Sequence, residues 1–147
     1  MRVINVEREA MDSVRRALRQ RKKLLARFEG FSDSDKWMLR FKSVQKAADE
    51  QQWSHAATLL ERLTIDLDAL GNEQDEATTL LTFVREEWAI LRNQCEASNL
   101  PPTDEDMKNT DAAIALAEDR LKEGQIPDAL EQLGQADAAM ERLRRRV

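Results

Sequence analysis

Apolar residues recur with the period of an α-helix along most of this chain. The clearest run lies between Trp53 and Leu70, where apolar side chains are spaced alternately four and three residues apart. This spacing places them on one helix face, and the charged side chains between them fall mainly on the opposite face. Such a helix requires partner helices against its apolar face, so the pattern predicts a helical bundle. The seam consists of Ala56, Leu60, Leu63, Leu67 and Leu70.

Three helices are predicted in the first half of the chain. The first covers residues 4 to 28, has Ile4 as its first seam position and ends before Gly30. The second runs to about Glu50. The third begins at Trp53 and is expected to stop at Gly71-Asn72, because Gly and Asn are common just after the last turn of a helix.

Three further helices are predicted in the second half. The fourth covers roughly 75 to 98 and has the widest apolar face, which predicts a position in the middle of the structure. Pro101-Pro102 separates it from the fifth helix, which Thr103 and the acids that follow should cap. Gly124 ends the fifth helix, and Pro127 suits the first turn of the sixth. The flanks of the fourth helix carry Leu80, Phe83 and Ile90.

The two halves of the chain resemble each other weakly. Sliding the sequence by 73 residues aligns several apolar positions, among them Leu60 with Leu133 and Leu67 with Met140, and it also aligns the break near Gln51 with Gly124. An internal repeat is indicated when the helix breaks of the two halves align as well as their apolar positions. Two readings stay open: a duplicated three-helix unit, divided as 1–72 and 73–147 within one continuous domain, or a chance alignment of amphipathic helices.

One hairpin carries the pattern of a known repeat. A small residue in the first helix, a Gly at the turn and an Ala-x-x-x-large-x-x-Ala spacing occur over about residues 110–143, with a looser copy near 37–70. This pattern resembles a tetratricopeptide hairpin, which implies a helical array that binds other proteins. Arg120 stands where the family carries an aromatic residue and Glu141 where it closes with Pro. No ligand-binding residue is therefore transferred from the family.

Composition narrows the fold to the all-α class. Of the 147 residues, 41% are hydrophobic and 35% are charged, while only four Gly, three Pro and no Tyr are present. Strand-rich folds use more of all three residue types. With one cysteine, the chain has no intrachain disulfide. No apolar run approaches the roughly 20 residues of a membrane span, and the N-terminus has no signal-peptide core, so we expect a cytoplasmic protein unless it is secreted without a cleaved signal.

Candidate chemistry is sparse. His55 is the single histidine, and the residues around it do not form a catalytic or metal-binding motif. Cys95 lies in an apolar seam, which favours a buried core residue over a reactive thiol. Trp37 and Trp88 suit core anchors, whereas Trp53 at a helix start is expected to be partly exposed. We therefore expect a protein that is not an enzyme and that needs no cofactor or metal.

Charge is strongly segregated along the chain. Residues 1–30 carry nine Lys or Arg against four acids, whereas residues 31–147 carry fourteen against twenty-four. Four cations of the first helix, Arg15, Arg19, Lys22 and Lys23, are predicted to share one exposed face. They suit nucleic acid or an anionic membrane, or else packing beside acidic helices of the same chain or of a neighbour. The acidic remainder of the chain favours this packing because it repels a polyanion.

These patterns together predict architecture without catalytic chemistry. We expect a non-catalytic helical protein–protein interaction module: an adaptor, a scaffold, or a helical segment of a larger bacterial-type protein. Its partner is another protein or a second copy bound through the first helix, and the alternative is a nucleic-acid-binding regulator that uses the same basic helix. The candidate partner-binding residues are Arg15, Arg19, Lys22, Lys23 and Trp53.

Overall fold

The protein is all-α, as its composition and periodicity predict. The computed structural model describes residues 2–147, with side chains from Val6 onward, so the predicted seam position Ile4 lies outside the described side chains. The chain is 85% helical, and no strand occurs between residues 2 and 147. The helices are α1 (Arg2–Arg19), α2 (Arg21–Leu25), a 3₁₀ turn (Ala26–Phe28), α3 (Ser34–Asp49), α4 (Trp53–Ala97), α5 (Glu105–Lys122) and α6 (Ile126–Arg144).

The predicted first helix is divided into three pieces. Gln20, between α1 and α2, has φ −95° and ψ 8°, which departs from helical values. Hydrogen bonds from Gln20 N to Arg16 O and from Leu24 N to Gln20 O continue through this point, so the distortion is local. The last turn then tightens into the 3₁₀ segment that ends at Phe28.

The predicted helix end at Gly71-Asn72 is wrong, because α4 continues through both residues. Gly71 instead allows a close approach by Arg27, whose Nη2 donates a hydrogen bond to the Gly71 carbonyl oxygen at 3.0 Å. A Cβ atom at this position would lie 3.0 Å from Arg27 Nη1. A glycine inside a helix costs only about 1 kcal/mol relative to alanine, which does not end a long amphipathic helix.

The chain divides into two compact units, Met1–Gly71 (unit 1) and Asn72–Val147 (unit 2). A common origin of the two units by duplication remains a prediction. Predicted seam residues of both are buried, including Leu60, Leu91 and Leu133. The core of unit 1 is formed by Val14, Phe28, Phe31, Trp37, Phe41, Val44, Ala47, Ala48, Ala56, Leu60, Leu63 and Leu67. The larger buried residues of unit 2 include Leu81, Val84, Trp88, Leu91, Met107, Ile114, Leu121, Ile126, Met140 and Leu143.

Three helices end in the same hydrogen-bonded motif, with one residue in the left-handed region. These residues are Gln51 (φ 61°), Asn99 (φ 65°) and Gly124 (φ 76°). In each case the following amide bonds to the carbonyl five residues back, as from Gln52 N to Ala47 O at 2.9 Å. The predicted breaks near Gln51 and at Gly124 are thereby confirmed, and Pro127 lies in the first turn of α6 as predicted.

The start of α5 differs from the prediction by one residue. Asp104, rather than Thr103, is the N-cap, and its carboxylate accepts hydrogen bonds from the amides of Asp106 and Met107. An ionised acceptor at this end of a helix is stabilised by the helix dipole as well as by the amide donors.

The wide apolar face of the fourth predicted helix is not fully buried. Phe83 is 54% exposed and Ile90 is 63% exposed, while Leu81, Val84 and Trp88 are buried in unit 2. The expected central position is therefore wrong for this part of α4, because only one row of its apolar side chains is covered.

Candidate functional site

A groove in unit 1 lies where α2 and the 3₁₀ turn meet the start of α3. Phe28 and Phe31 hold this corner: both are buried, and their rings meet edge to face with centroids 5.2 Å apart. This contact packs α2 and the 3₁₀ turn, which carry basic residues, beside α3. The resulting basic-rimmed groove has a volume of about 380 Å³ and is lined by Arg21, Lys22, Leu25, Phe28, Glu29, Ser34, Trp37, Met38 and Lys42.

The floor of the groove is apolar and contains one unpaired donor. Leu25, Phe28, Trp37 and Met38 line it, and Met38 is half exposed. Trp37 is only 7% exposed, yet its indole Nε1–H has no hydrogen-bond partner among the residues that the structure describes. A buried donor without an acceptor costs about 1–3 kcal/mol.

The rim of the groove is positive. Arg21, Lys22 and Lys42 line it against a single acidic lining residue, Glu29. Across residues 2–147, none of these three cations has an ion-pair partner with described coordinates. An apolar floor inside a ring of unpaired cations suits a ligand that combines a large apolar group with a carboxylate.

Two further cations lie over the Trp37 ring itself. Lys36 Nζ is 5.3 Å and Arg40 Cζ is 5.4 Å from the ring centroid. Arg40 also forms an ion pair with Asp66 of α4 at 2.6 Å, so it is held in place. Both contacts lie within the range of cation–π attraction, and they add positive charge next to the groove.

The structure separates the five candidate residues predicted from sequence. Lys22 lines the groove, whereas Lys23 and Arg19 are exposed outside it. The Arg15 guanidinium lies 5.3 Å from the centroid of the Trp53 ring, and Trp53 is partly buried as expected. The distortion at Gln20 places the four cations on two helices instead of the single helix that we predicted.

Sequence reasoning did not identify the groove. It assigned Trp37 to the core, which is correct, but the pattern of residues does not show that its N–H lacks an acceptor. Two signals were present. Arg21 interrupts the apolar seam of the predicted first helix, and Met38 lies beside the α3 seam rather than in it. Both residues line the groove.

Unit 2 uses its polar side chains internally. The Trp88 indole Nε1–H donates to Asp111 Oδ1 at 2.8 Å. Arg85 forms an ion pair with Glu118, which lowers the pKa of that carboxyl. Three arginines at the end of α6 reach acids on α4, at the α5 N-cap and in the first turn of α5: Arg144 to Glu87 at 3.3 Å, Arg146 to Asp104 at 2.8 Å and Arg142 to Asp106 at 3.0 Å.

The remaining reactive groups are isolated. His55 is exposed, and Cys95 is buried, where desolvation raises the pKa of its thiol despite the nearby Arg146 charge. No group of His, Cys, Asp or Glu within the described chain has the arrangement of a metal site. None of the described helices combines the length and apolar composition that a membrane crossing requires.

Relatives do not add to this description of the groove. Comparison of the chain with protein-family models, with curated proteins and with solved structures gave no match.

Proposed function

We propose that this chain is a non-catalytic helical protein–protein interaction module, acting as an adaptor, a scaffold or a helical segment of a larger cytoplasmic protein. The observation that carries the proposal is the basic-rimmed groove, where the unpaired rim cations Arg21, Lys22 and Lys42 lie beside an apolar floor. These groups have no partner in the described part of the chain. A protein partner can provide both the apolar side chain and the acceptors that they lack.

The groove favours an acidic helix as its ligand. A helix presents side chains three, four and seven residues apart on one face, so one apolar residue can enter the floor while neighbouring acids meet the rim. Opposite charges on the two surfaces also accelerate their encounter and exclude basic competitors. The tetratricopeptide resemblance implies the same kind of activity, but the groove lies outside the hairpin of residues 110–143 that carries it best.

Affinity capture with the full chain tests this function. Lys22→Glu reverses a charge that lines the groove, and Lys23→Glu makes the same change one residue away, outside it. We expect wild-type protein and Lys23→Glu to retain the same partner from the native source, and Lys22→Glu to lose it. Equal capture by both variants, or no captured protein with wild type, would contradict the proposal.

Nucleic-acid binding is the second candidate function. It is favoured by the exposed cations outside the groove, including Arg16, Arg19 and Lys23. If these residues bind phosphates, affinity falls by orders of magnitude over a few-fold rise in salt. Fluorescence anisotropy with an oligonucleotide at two salt concentrations separates the candidates, and the interaction module predicts no binding at physiological salt.

A further inference from the structure

One exposed side of α4 in unit 2 combines apolar and acidic residues, which are the groups that suit the groove. Leu80, Phe83 and Ile90 are spaced three and seven residues apart, which places them along one side of the helix, and all three are exposed. We call this surface the α4 flank. At 41–63% exposure, these are among the most exposed large apolar side chains of unit 2.

The charges along the α4 flank are acidic. Glu76, Glu86 and Glu87 are interspersed with its apolar residues, and Glu76 and Glu86 have no ion pair within the described residues. The two basic residues of this part of α4 lie on another side of the helix. Arg85 pairs with Glu118 of α5, and Arg92 lies 3.7 Å from Asp111 of α5.

We propose that the groove of one copy binds the α4 flank of a second copy. This inference rests on the proposed function and names the partner that the groove accepts. The two surfaces are complementary: an apolar floor faces apolar side chains, and a rim with three cations faces a helix side on which Glu76 and Glu86 are unpaired and Glu87 is paired with Arg144. Phe83 is the anchor that enters the floor, and the carboxylate of Glu86, three residues later, meets the rim cations.

Binding of this kind is head to tail. Each copy offers one groove and one flank, so association continues until a ring closes or a filament forms. A ring of two or more copies, or a filament, is therefore the expected form of assembly. It differs from the dimer through the first helix that we expected from sequence, in which the same surface of both copies would meet.

Sedimentation velocity of the full chain over a wide concentration range tests the proposal. We expect the weight-average mass of wild type to rise from one chain to two or more as concentration increases. Met38→Glu in the groove and Phe83→Arg on the flank should each hold the protein as a monomer. Leu39→Glu and Thr78→Arg are matched controls, since each makes the same kind of change at a nearby exposed position outside the two surfaces, and both should assemble like wild type.

Mixing the two blocked variants gives the decisive result. Phe83→Arg retains its groove and Met38→Glu retains its flank, so an equimolar mixture should form one intact contact and stop at two chains. Circular dichroism of each variant checks that the helices remain. A monomeric wild type, a mixture that stays monomeric, or assembly that survives either blocking variant overturns the inference. If wild type stays monomeric while Lys22→Glu still abolishes capture of another protein, the self-association fails and the proposed function stands.

Discussion

Two buried tryptophans show how differently the two units use their polar groups. Trp88 of unit 2 donates its indole N–H to Asp111, and Asp111 in turn lies 3.7 Å from Arg92. Trp37 of unit 1 is buried to a similar extent, but its N–H has no acceptor and two cations lie over its ring. The buried indole N–H of unit 2 is therefore paired, whereas that of unit 1 is unpaired in a residue that lines a groove with unpaired cations.

This contrast separates polar groups that stabilise the fold from polar groups that remain available for binding. Folding alone favours pairing of a buried donor, so the unpaired Trp37 N–H costs stability where the paired Trp88 N–H does not. Charge follows the same division: residues 1–71 contain fourteen basic and eleven acidic side chains, and residues 72–147 contain nine and seventeen. The protein therefore has a unit with unpaired positive groups and a unit with an excess of acidic side chains.

The largest difference is expected when the two tryptophans are replaced by phenylalanine. Trp88→Phe removes a hydrogen bond to a carboxylate and should lower the free energy of unfolding by about 2 kcal/mol. Trp37→Phe removes a donor that has no partner, so its loss should stay below about 1 kcal/mol. Urea unfolding followed by circular dichroism measures both. An equal loss from the two variants would contradict the assignment of Trp37 as unpaired.

A smaller gain is expected at the left-handed helix end of unit 1. Gln51 occupies a conformation that costs an ordinary residue about 1–2 kcal/mol, whereas Gly adopts it freely. Gln51→Gly should raise the free energy of unfolding by about 1 kcal/mol. Asn99→Gly at the equivalent place in unit 2 should gain only a few tenths, because Asn tolerates this region well. Chemical denaturation compares the pair, and a larger gain at Asn99 would refute this account.

Two helical glycines give a third comparison. Nothing lies within 4 Å of a Cβ atom placed on Gly134, so Gly134→Ala should stabilise unit 2 by about 0.5–1 kcal/mol. Gly71→Ala should give no gain, since its Cβ would crowd Arg27. In an Arg27→Ala background the same change at Gly71 should stabilise as Gly134→Ala does. Thermal unfolding of the four proteins tests whether Arg27 is the reason that Gly71 is required.

The smallest effect is expected on acidification of unit 2. The hydrogen bond from Arg146, aided by the Met107 and Asp106 amides, holds the pKa of Asp104 below its ordinary value of 3.8. A carboxyl whose pKa is lower in the folded state stabilises that state above its unfolded pKa, and this contribution is lost as pH falls through the folded pKa. NMR titration should show the Asp104 pKa rising in Arg146→Ala. Asp104→Asn should make stability less dependent on pH below about 4, and unchanged behaviour would speak against the pairing.

Much of the fold could be predicted from the sequence, because the spacing of apolar residues and the residues that end helices act locally. The end of α5 and the start of α6 follow from Gly124 and Pro127, and the buried seams follow from their spacing. The helix end wrongly predicted at Gly71 shows that residue type alone does not determine where a helix ends. Leu70 and Ala77 are seven residues apart, so the seams on either side of the glycine are in phase, and that phase indicates one helix more reliably than the glycine indicates an end.

The groove was harder to predict from the sequence, because it depends on tertiary packing. It requires the distortion at Gln20, the 3₁₀ turn and the Phe28–Phe31 contact, which together set the end of the basic segment against α3. The absence of an acceptor for Trp37 is a property of three-dimensional surroundings, and a residue pattern does not encode it. Of the predicted cations, only Lys22 lines the groove.

Photo-crosslinking at two adjacent positions tests the central claim, that the groove of unit 1 is where a protein partner binds, most directly. A photoreactive amino acid placed at Met38 would sit in the groove, and one placed at Leu39 would be similarly exposed but outside it. Irradiation of the full chain in extract from its native source should give a discrete protein adduct from position 38, and Lys22→Glu should remove it. Equal adducts from both positions, or an adduct from position 39 alone, would contradict the account.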